Sequence, residues 1–321
     1  MIHPTRVLAG DICHDKKPDA TVGITSMPEP TSSIPTKEIF RAAEKLPPFP
    51  GVIWKVMSLL RNKAPVKEIE EIIKVDQAIA AKVLAMSRSA FYARKYPTTS
   101  LKDAIVALGE QELTRLVMAA CAARYFETEL SGYELREGEL WQHAVATAMI
   151  SETVARGFEK RRALTVYTAA LLHDIGKAVL SLYVKTYMDA MVILMSRKRV
   201  GMLEAERKIF GVDHEQLGEI IAKGWRFPEE VVVGIGYHHR PKEATAHQDI
   251  AAAVYVANRA ATALGYGCGM ERLVESYDHE IYGTLGITSQ SVDRFCTEIA
   301  GATGGMKDLF RDKESMGPST P

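Results

Sequence analysis

Two side chains that commonly bind metal ions, His173 and Asp174, stand next to each other between an apolar run and a glycine. Residues 163–170, which precede them, are apolar nearly all round at helical length, so the pattern predicts a buried helix that carries the pair into the interior. We expect Gly176 to loosen or end that helix. Adjacent residues on a helix point about 100° apart, so the pair can bind one ion only near a helix end, or bridge two ions.

Further histidines and one glutamate extend the possible ligand set. Glu139 and His143 are four residues apart, roughly 40° from each other on one helical face, a spacing that suits two ligands of one ion. His214 follows a short predicted helix, and His238 and His239 close an apolar run. An isolated His-Asp pair is more often a buried histidine bonded to its neighbour, so these additional residues are what favour a metal site.

The order of these residues, a histidine, then His-Asp, then a histidine, then His-His, resembles that of the HD superfamily of metal-dependent phosphohydrolases. The closer resemblance is to the HDOD family of bacterial regulators, and it covers roughly residues 36 to 265. It implies an all-α fold, in which an HD-domain, phosphodiesterase-like helical bundle follows a smaller helical subdomain, and a role in signal transduction. It does not imply catalysis, because many members of the family lack part of the enzymes' metal set. The resemblance is carried by Leu46-Pro47-Pro48-Phe49-Pro50, Leu171-Leu172-His173-Asp174-Ile175-Gly176-Lys177, His214-Glu215-Gln216-Leu217-Gly218, Trp225-Arg226-Phe227-Pro228 and His238-His239.

The resemblance to the fuller HD enzymes implies a set of metal ligands with Asp174 as the bridging, catalytic carboxylate. Carboxylate and imidazole donors without thiolates suit Fe, Mn, Ni, Zn or Mg, so we expect one or two divalent ions. Two ions about 3.5 to 4 Å apart could share a water, lower its pKa and direct it at a phosphorus atom. The implied ligands are Glu139, His143, His173, Asp174, His214, His238, His239 and, in the last position, Asn258.

Three neighbouring residues have alternative interpretations. Lys177, one turn after His173, would meet a substrate phosphate as a point charge and so act in catalysis, or it is an ordinary surface lysine. Glu204 and Glu206 lie one short helix before His214 and could orient it by a hydrogen bond. For both glutamates, a solvated helix face is the interpretation that we favour.

The sequence departs from the HD pattern in two places that bear on activity. On the helix after His239, where the pattern has a closing aspartate, this chain has Asn258, which offers an oxygen but no charge, so one ion loses a neutralising ligand. Residues 240–245, which follow the His-His pair, contain no Gly-Tyr-Pro, the mark of the related cyclic di-GMP hydrolases. That substrate is therefore not expected.

Composition indicates a globular protein of the cytoplasm. The 321 residues are 47% hydrophobic and 25% charged, and forty basic residues balance forty acidic ones, so no overall field attracts nucleic acid or anionic lipid. The four cysteines, at 13, 121, 268 and 296, show neither close pairing nor metal spacing, which fits reduced thiols. No apolar run approaches the roughly 20 residues that cross a bilayer, and we see no signal-peptide architecture.

We expect four regions along the chain. Residues 1–35 are predicted to be a disordered leader, 36–130 the N-terminal helical part, 131–302 the metal-site region, and 303–321 a frayed tail. The N-terminal part contains two short predicted helices with a turn at Asp76, where a helix-turn-helix reader of DNA could lie. Its glutamates at 68, 70 and 71 would repel phosphates, so an interaction subdomain is the better interpretation.

Two functions from different classes remain open at this point. The first is a cytoplasmic signalling module whose HD-like site binds metal, and could bind a nucleotide or phosphate ligand, while other surfaces engage an unknown protein partner. The second is an active phosphohydrolase of nucleotides or phosphate esters. Asn258 favours the first function, and the nearly complete ligand set favours the second. Neither the partner nor the oligomeric state follows from the sequence.

Overall fold

A computed structural model describes residues 36–89, 92, 98–126, 131–157, 160–266 and 281. These residues form α-helices and short 3-10 helices with no strand among them, which confirms the all-α prediction. The predicted leader, the predicted tail and the region after residue 266, apart from residue 281, lie outside the described residues. The helices are α1 (Thr36–Glu44), α2 (Val52–Arg61), α3 (Val66–Lys74), α4 (Gln77–Arg88), α5 (Leu101–Phe126), α6 (Glu139–Val154), α7 (Lys160–Leu172), α8 (Ile175–Val184), α9 (Met188–Lys198), α10 (Met202–Phe210), α11 (His214–Gly224), α12 (Glu229–Gly236) and α13 (Gln248–Ala263).

Local hydrogen bonds define the starts of the N-terminal helices. The Asp76 carboxylate accepts from Ile79 N at 3.1 Å and caps α4, which confirms the predicted turn between α3 and α4. Ser100 and Asp103 cap α5 reciprocally, each side chain accepting from the other's backbone N–H. Gly109, with φ of 73°, bends α5 because this left-handed conformation favours glycine.

The helices that carry the predicted ligands pack directly on one another. The helix α6 lies against α7 and α13, α12 contacts α7, α11 and α13, and α11 also packs along α8. Apolar side chains fill the space between these helices. Among them are Ala169 of α7, Ile235 of α12 and Val254 of α13, all 0% exposed. This packing brings segments far apart in the chain around one interior.

The chain breaks its helix at the His-Asp pair itself. The helix α7 ends at Leu172 and α8 begins at Ile175, so His173 and Asp174 form the turn between them. The expectation that Gly176 ends the helix is therefore wrong, because Gly176 lies within the first turn of α8. A Cβ at this position would lie 2.0 Å from the backbone oxygen of His214, so glycine allows α8 to approach the start of α11.

One hydrophobic core runs through both the N-terminal helices and the ligand-bearing helices. Phe49, in the proline-rich stretch between α1 and α2, is 6% exposed and packs against Trp225 and Phe227 at the end of α11, with ring centroids 5.4 and 5.3 Å away. Tyr125 of α5 stacks on the same ring and donates its hydroxyl to the Pro48 carbonyl at 2.9 Å. Phe49 thus joins the N-terminal helices to the end of α11 through the core.

One stretch of the described residues, Arg162–Lys198, has the length and the mean hydropathy, 1.5, of a membrane span. In the structure this stretch is divided among α7, α8 and α9, and it is interrupted by the turn that carries Asp174. Most of α7 and α8 is buried in the core. Of the apolar window itself 28% is buried, and the stretch does not form one continuous helix.

Candidate metal centre

The carboxylate of Asp174 lies at the centre of a buried group of histidines. Its Oδ2 is 3.3 Å from His173 Nε2 and 3.7 Å from His143 Nε2. Its Oδ1 is 3.7 Å from the Nε2 atoms of both His214 and His238. All five side chains are at most 1% exposed. The two oxygens of one carboxylate thus face two different pairs of imidazoles.

Each of the four rings is oriented by an acceptor at Nδ1, on the side away from Asp174. His143 Nδ1 meets the Tyr266 carbonyl at 2.9 Å, and the Nδ1 atoms of His173 and His238 each meet the backbone carbonyl three residues earlier at 2.7 Å. A carbonyl oxygen can only accept, so these three rings donate Nδ1–H and leave the Nε2 lone pair facing inward. This arrangement is the one that metal-binding histidines adopt in proteins.

The inward-facing donors suit a divalent cation. Among the described residues, Asp174 Oδ1, His214 Nε2 and His238 Nε2 have no hydrogen-bond partner, and a buried polar atom without a partner costs about 1–3 kcal/mol. His143 Nε2 and His173 Nε2 are 3.2 Å apart, an arrangement that either a proton or a metal ion between them would satisfy. Imidazole nitrogens bind Zn²⁺ at about 2.0–2.1 Å, so the ligand atoms of one ion must lie within a few ångströms of one another. The residues present therefore fit such an ion.

Two groups of three residues have donor atoms close enough to bind an ion. Within each group the donor atoms lie within 4.8 Å of one another. Five predicted ligands and the predicted bridge thus come together. The groups are His143, His173 and Asp174, and His214, His238 and His239.

Glu206 supports the second of these groups. Its side chain is 0% exposed, and Oε2 accepts from both the backbone N and the Nδ1 of His214, at 2.9 and 2.8 Å. Tyr133 donates its hydroxyl to Oε1 at 2.8 Å. The solvated-face interpretation is wrong for Glu206, although Glu204 is exposed beside Lys208. The sequence signal was the helical face that Glu206 shares with the buried residues Met202, Ala205 and Phe210 of α10.

Glu215 lies in one of the motifs that carry the family resemblance, and the structure shows its role. It is fully buried, and Oε1 accepts from the backbone N of His239 at 2.6 Å while Oε2 accepts from Arg240 Nε at 2.8 Å. Burial raises the pKa of Glu215 to about 7 against the lowering effect of these donors. Through these hydrogen bonds, Glu215 connects the start of α11 to the His-His turn after α12.

The protein shifts the pKa values around Asp174 in different directions. Burial raises the pKa of Asp174, but attraction to His173 and Lys177 outweighs it and holds that pKa well below its usual range. Burial lowers the pKa of His214, but the Glu206 carboxylate outweighs it and raises that pKa to about 9. Burial and the neighbouring His239 hold the pKa of His238 well below its usual range. A neutral His238 keeps its Nε2 lone pair available.

The remaining three predicted site residues lie in different surroundings. Lys177 is 3% exposed and its Nζ lies 2.8 Å from Asp174 Oδ2, so the surface-lysine interpretation is wrong. Glu139 is not brought into either group, since its carboxylate accepts from Arg136 N at 2.9 Å at the entrance of α6. Asn258 is 2% exposed on α13, which packs against α6, and its Oδ1 has no partner among the described residues.

An all-helical bundle around a buried His/Asp centre defines the class of protein as HD-like. Residues 46–241 match the HDOD domain, and the chain belongs to the HDOD family. The family predicted from the sequence is thereby confirmed.

Solved structures with the same fold are known from three bacteria. An HDOD domain protein of unknown function from Geobacter sulfurreducens is 22% identical, with a TM-score of 0.67 over 85% of this chain and 99% of that chain. A protein from Marinobacter aquaeolei VT8, provisionally named for signal transduction, is 20% identical, with a TM-score of 0.65 over 87% and 65%. A provisionally named phosphohydrolase from Shewanella amazonensis SB2B is 20% identical, with a TM-score of 0.62 over 84% and 96%. At these identities the likeness shows the fold alone.

An uncharacterized protein of Treponema pallidum (strain Nichols) is 21% identical over 207 residues. The match spans 61% of this chain but 38% of that relative. The chain is therefore similar to a part of a longer protein.

Proposed function

We propose that this chain is a cytoplasmic signalling protein of the HDOD type whose His/Asp centre binds a divalent metal ion and which acts through binding rather than turnover. The observation that carries the proposal is the burial of the donor set, because the four histidines around Asp174 are at most 1% exposed. A catalytic site needs a position open to substrate, whereas a structural or sensing site can be closed.

The residues of the chain have distinct tasks in this function. The four histidines around Asp174 would offer Nε2 ligands, and Asp174 the carboxylate ligand, for one or two ions. Glu206 and Glu215 fix the orientation of His214 and of the His-His turn. A bound divalent ion would supply positive charge and a further link between the helices that carry its ligands. Since α11 runs from His214 to the aromatic contacts of Phe49, occupancy at its start can alter the contact with the N-terminal helices.

Metal binding by the purified chain tests this function. The wild-type protein, stripped with a chelator, is titrated with Mn²⁺ or Zn²⁺ and its metal content is measured after dialysis. We expect His238→Asn to lose the ion. His247→Asn is the matched control, because His247 lies outside both groups and its φ of 50° suits asparagine. A wild-type protein that binds neither ion contradicts the proposal.

A second candidate, a metal-dependent phosphohydrolase, is favoured by one observation. The two oxygens of Asp174 face different histidine pairs, as a carboxylate shared by two ions would. In that function, a bound metal would lower the pKa of a water, Asp174 would be the carboxylate ligand, and Lys177 would meet the substrate phosphate. A panel of phosphodiesters and nucleotides, with Mn²⁺ and with Fe²⁺ under anaerobic conditions, tests it. Turnover that Asp174→Ala abolishes would replace the binding function with the enzyme.

The partner of the signalling function would be a protein, with a nucleotide or phosphate as a possible small ligand. The balance of forty basic and forty acidic residues leaves no overall field that would attract nucleic acid or anionic lipid. Crosslinking and sizing of the tagged chain from a soluble extract, with and without added Mn²⁺, tests whether metal controls assembly. Identical complexes in both conditions would contradict metal control of the partner.

A further inference from the structure

The metal centre consists of two halves that are not equivalent. The first half is His143, His173 and Asp174 Oδ2, and the second half is His214, His238, His239 and Asp174 Oδ1. In the first half, the Nε2 atoms of His143 and His173 lie within hydrogen-bond distance of each other, and Oδ2 accepts from Lys177 Nζ at 2.8 Å. The carboxylate oxygen of the first half therefore already has a cationic partner within the protein, the ammonium group of Lys177.

The second half contains buried polar atoms that lack a hydrogen-bond partner. Among the described residues, neither Asp174 Oδ1 nor the Nε2 atoms of His214 and His238 have a hydrogen-bond partner, and Oδ1 is 3.7 Å from each Nε2. Three buried atoms that can serve as metal ligands thus point at one place.

The groups that accept from the Nδ1 atoms of the histidines also favour an ion in the second half. The Glu206 carboxylate lies 2.8 Å from His214 Nδ1, so a negative side chain supports one ring of the second half, and Glu215 Oε1 lies 3.8 Å from His238 Nδ1. The rings of the first half rest on neutral backbone carbonyls, those of Tyr266 and Ala170. A carboxylate behind a histidine raises its basicity as a ligand, which favours metal binding in the second half.

Lys177 opposes an ion in the first half. Its ammonium group lies against the one carboxylate oxygen that this half has, and it is 3% exposed, so water screens it poorly. A divalent ion bound to Oδ2 would meet this positive charge at close range. The helix α13, which packs against α6, brings the neutral Asn258 rather than a carboxylate.

We propose that the chain binds a single divalent ion, in the second half, and that the ammonium group of Lys177 takes the place of a second cation at Asp174. This inference rests on the proposed function, because it assigns the number and place of the ions. It makes Lys177 the residue that decides metal stoichiometry. With one ion, the chain would differ from a two-ion hydrolase although it keeps Asp174, the bridging carboxylate.

Manganese titration of the full chain tests the inference. Wild-type protein and Lys177→Met, which keeps the length of the side chain and removes its charge, are loaded with Mn²⁺, and bound metal per chain is measured together with the electron paramagnetic resonance spectrum. We expect one ion and an uncoupled six-line spectrum for the wild type. For Lys177→Met we expect two ions and the multiline spectrum of an exchange-coupled pair. Lys198→Met, at an exposed position of α9, is the matched control and should bind one ion.

Further variants locate the ions and guard against misfolding. Circular dichroism and a thermal melt confirm that each variant is folded, and Lys177→Gln replaces Lys177→Met if the latter is not. His238→Asn should lose the ion of the wild type, and His143→Asn combined with Lys177→Met should return the count from two to one. Two ions in the wild type, or one ion in folded Lys177→Met and Lys177→Gln, overturn the inference while metal binding stands. No ion in any protein overturns the proposed function itself.

Discussion

Glu206 holds His214 by two hydrogen bonds to the same carboxylate oxygen, one from the backbone N at 2.9 Å and one from Nδ1 at 2.8 Å. Both residues are 0% exposed. The first bond fixes the start of α11 and the second fixes the plane of the imidazole. One buried carboxylate thus sets both where the α11 ligand lies and which way it points.

Replacing Glu206 should therefore weaken metal binding without unfolding the protein. In Glu206→Gln the negative charge behind His214 is lost while the shape is kept, and we expect affinity for Mn²⁺ to fall about 10–100-fold. The control is Glu204→Gln on the same helix, since Glu204 is exposed and paired with Lys208. Titration against a competing chelator measures both. Equal affinities in the two variants would contradict the role of Glu206.

A methyl group at Gly176 should disrupt the centre from a distance. Its Cβ would lie 2.0 Å from His214 O, which is backbone and cannot move alone, so we expect Gly176→Ala to lose about 2–3 kcal/mol or more of unfolding free energy. Gly224→Ala, at the end of α11, has nothing within 4 Å of its Cβ and should be neutral or stabilising by up to about 1 kcal/mol. Urea unfolding followed by circular dichroism compares them, and a Gly176→Ala protein as stable as wild type would refute the close approach.

The contact between the N-terminal helices and α11 depends on Phe49. Its ring packs against Tyr125, Trp225 and Phe227, so Phe49→Ala leaves a cavity and should cost about 3–5 kcal/mol. Leu182→Ala, at a side chain 70% exposed, should change stability by less than about 0.5 kcal/mol. Urea midpoints measure both effects, and similar values for the two variants would contradict the packing described.

The thiol of Cys121 should make the fold sensitive to alkaline pH. Burial raises the pKa of this thiol from its ordinary value of 9.0 to about 12. Because the folded pKa is above the unfolded one, the stabilisation is complete below about pH 9 and is lost as pH rises towards 12. Cys121→Ser has no group that titrates in this range, so its stability difference from wild type should shrink between pH 8 and 10. A difference that does not change with pH would contradict this.

Reactivity of Cys121 gives a second measurement of the same burial. Thiolate, not thiol, is the reactive form, and Cys121 is 0% exposed. Iodoacetamide at pH 8.5 should leave Cys121 unmodified in the native protein and label it in urea, as peptide mass mapping would show. Full labelling of the native protein at Cys121 would be the opposite result.

The sequence predicts the helical fold and most of the centre because both leave local signals. Apolar periodicity marks the helices, and the His-Asp pair with its flanking apolar run marks the middle of the site. Asp76 and Ser100 cap helices where the sequence indicates, since a cap depends on residues within one turn. The order of the histidines added a family resemblance, which the match to the HDOD domain confirms.

The features that the sequence does not predict depend on packing between segments that are far apart in the chain. Helical spacing places Glu139 on the face of His143, but at the first position of its helix the carboxylate turns to the Arg136 backbone instead. Glutamate is a charged residue that usually lies at the surface. Only the contact with His214 in the folded protein shows that Glu206 is buried. The reason for Gly176 likewise lies in a backbone 38 positions away in the chain, at His214.

The most direct test of the account is where a metal ion binds. Crystals of the full chain grown with Mn²⁺ or Zn²⁺ should show an anomalous scattering peak about 2.0–2.2 Å from Asp174 Oδ1 and from the Nε2 atoms of His214 and His238. A peak elsewhere on the molecule, or no peak while these three atoms bond to other protein groups, would contradict the account.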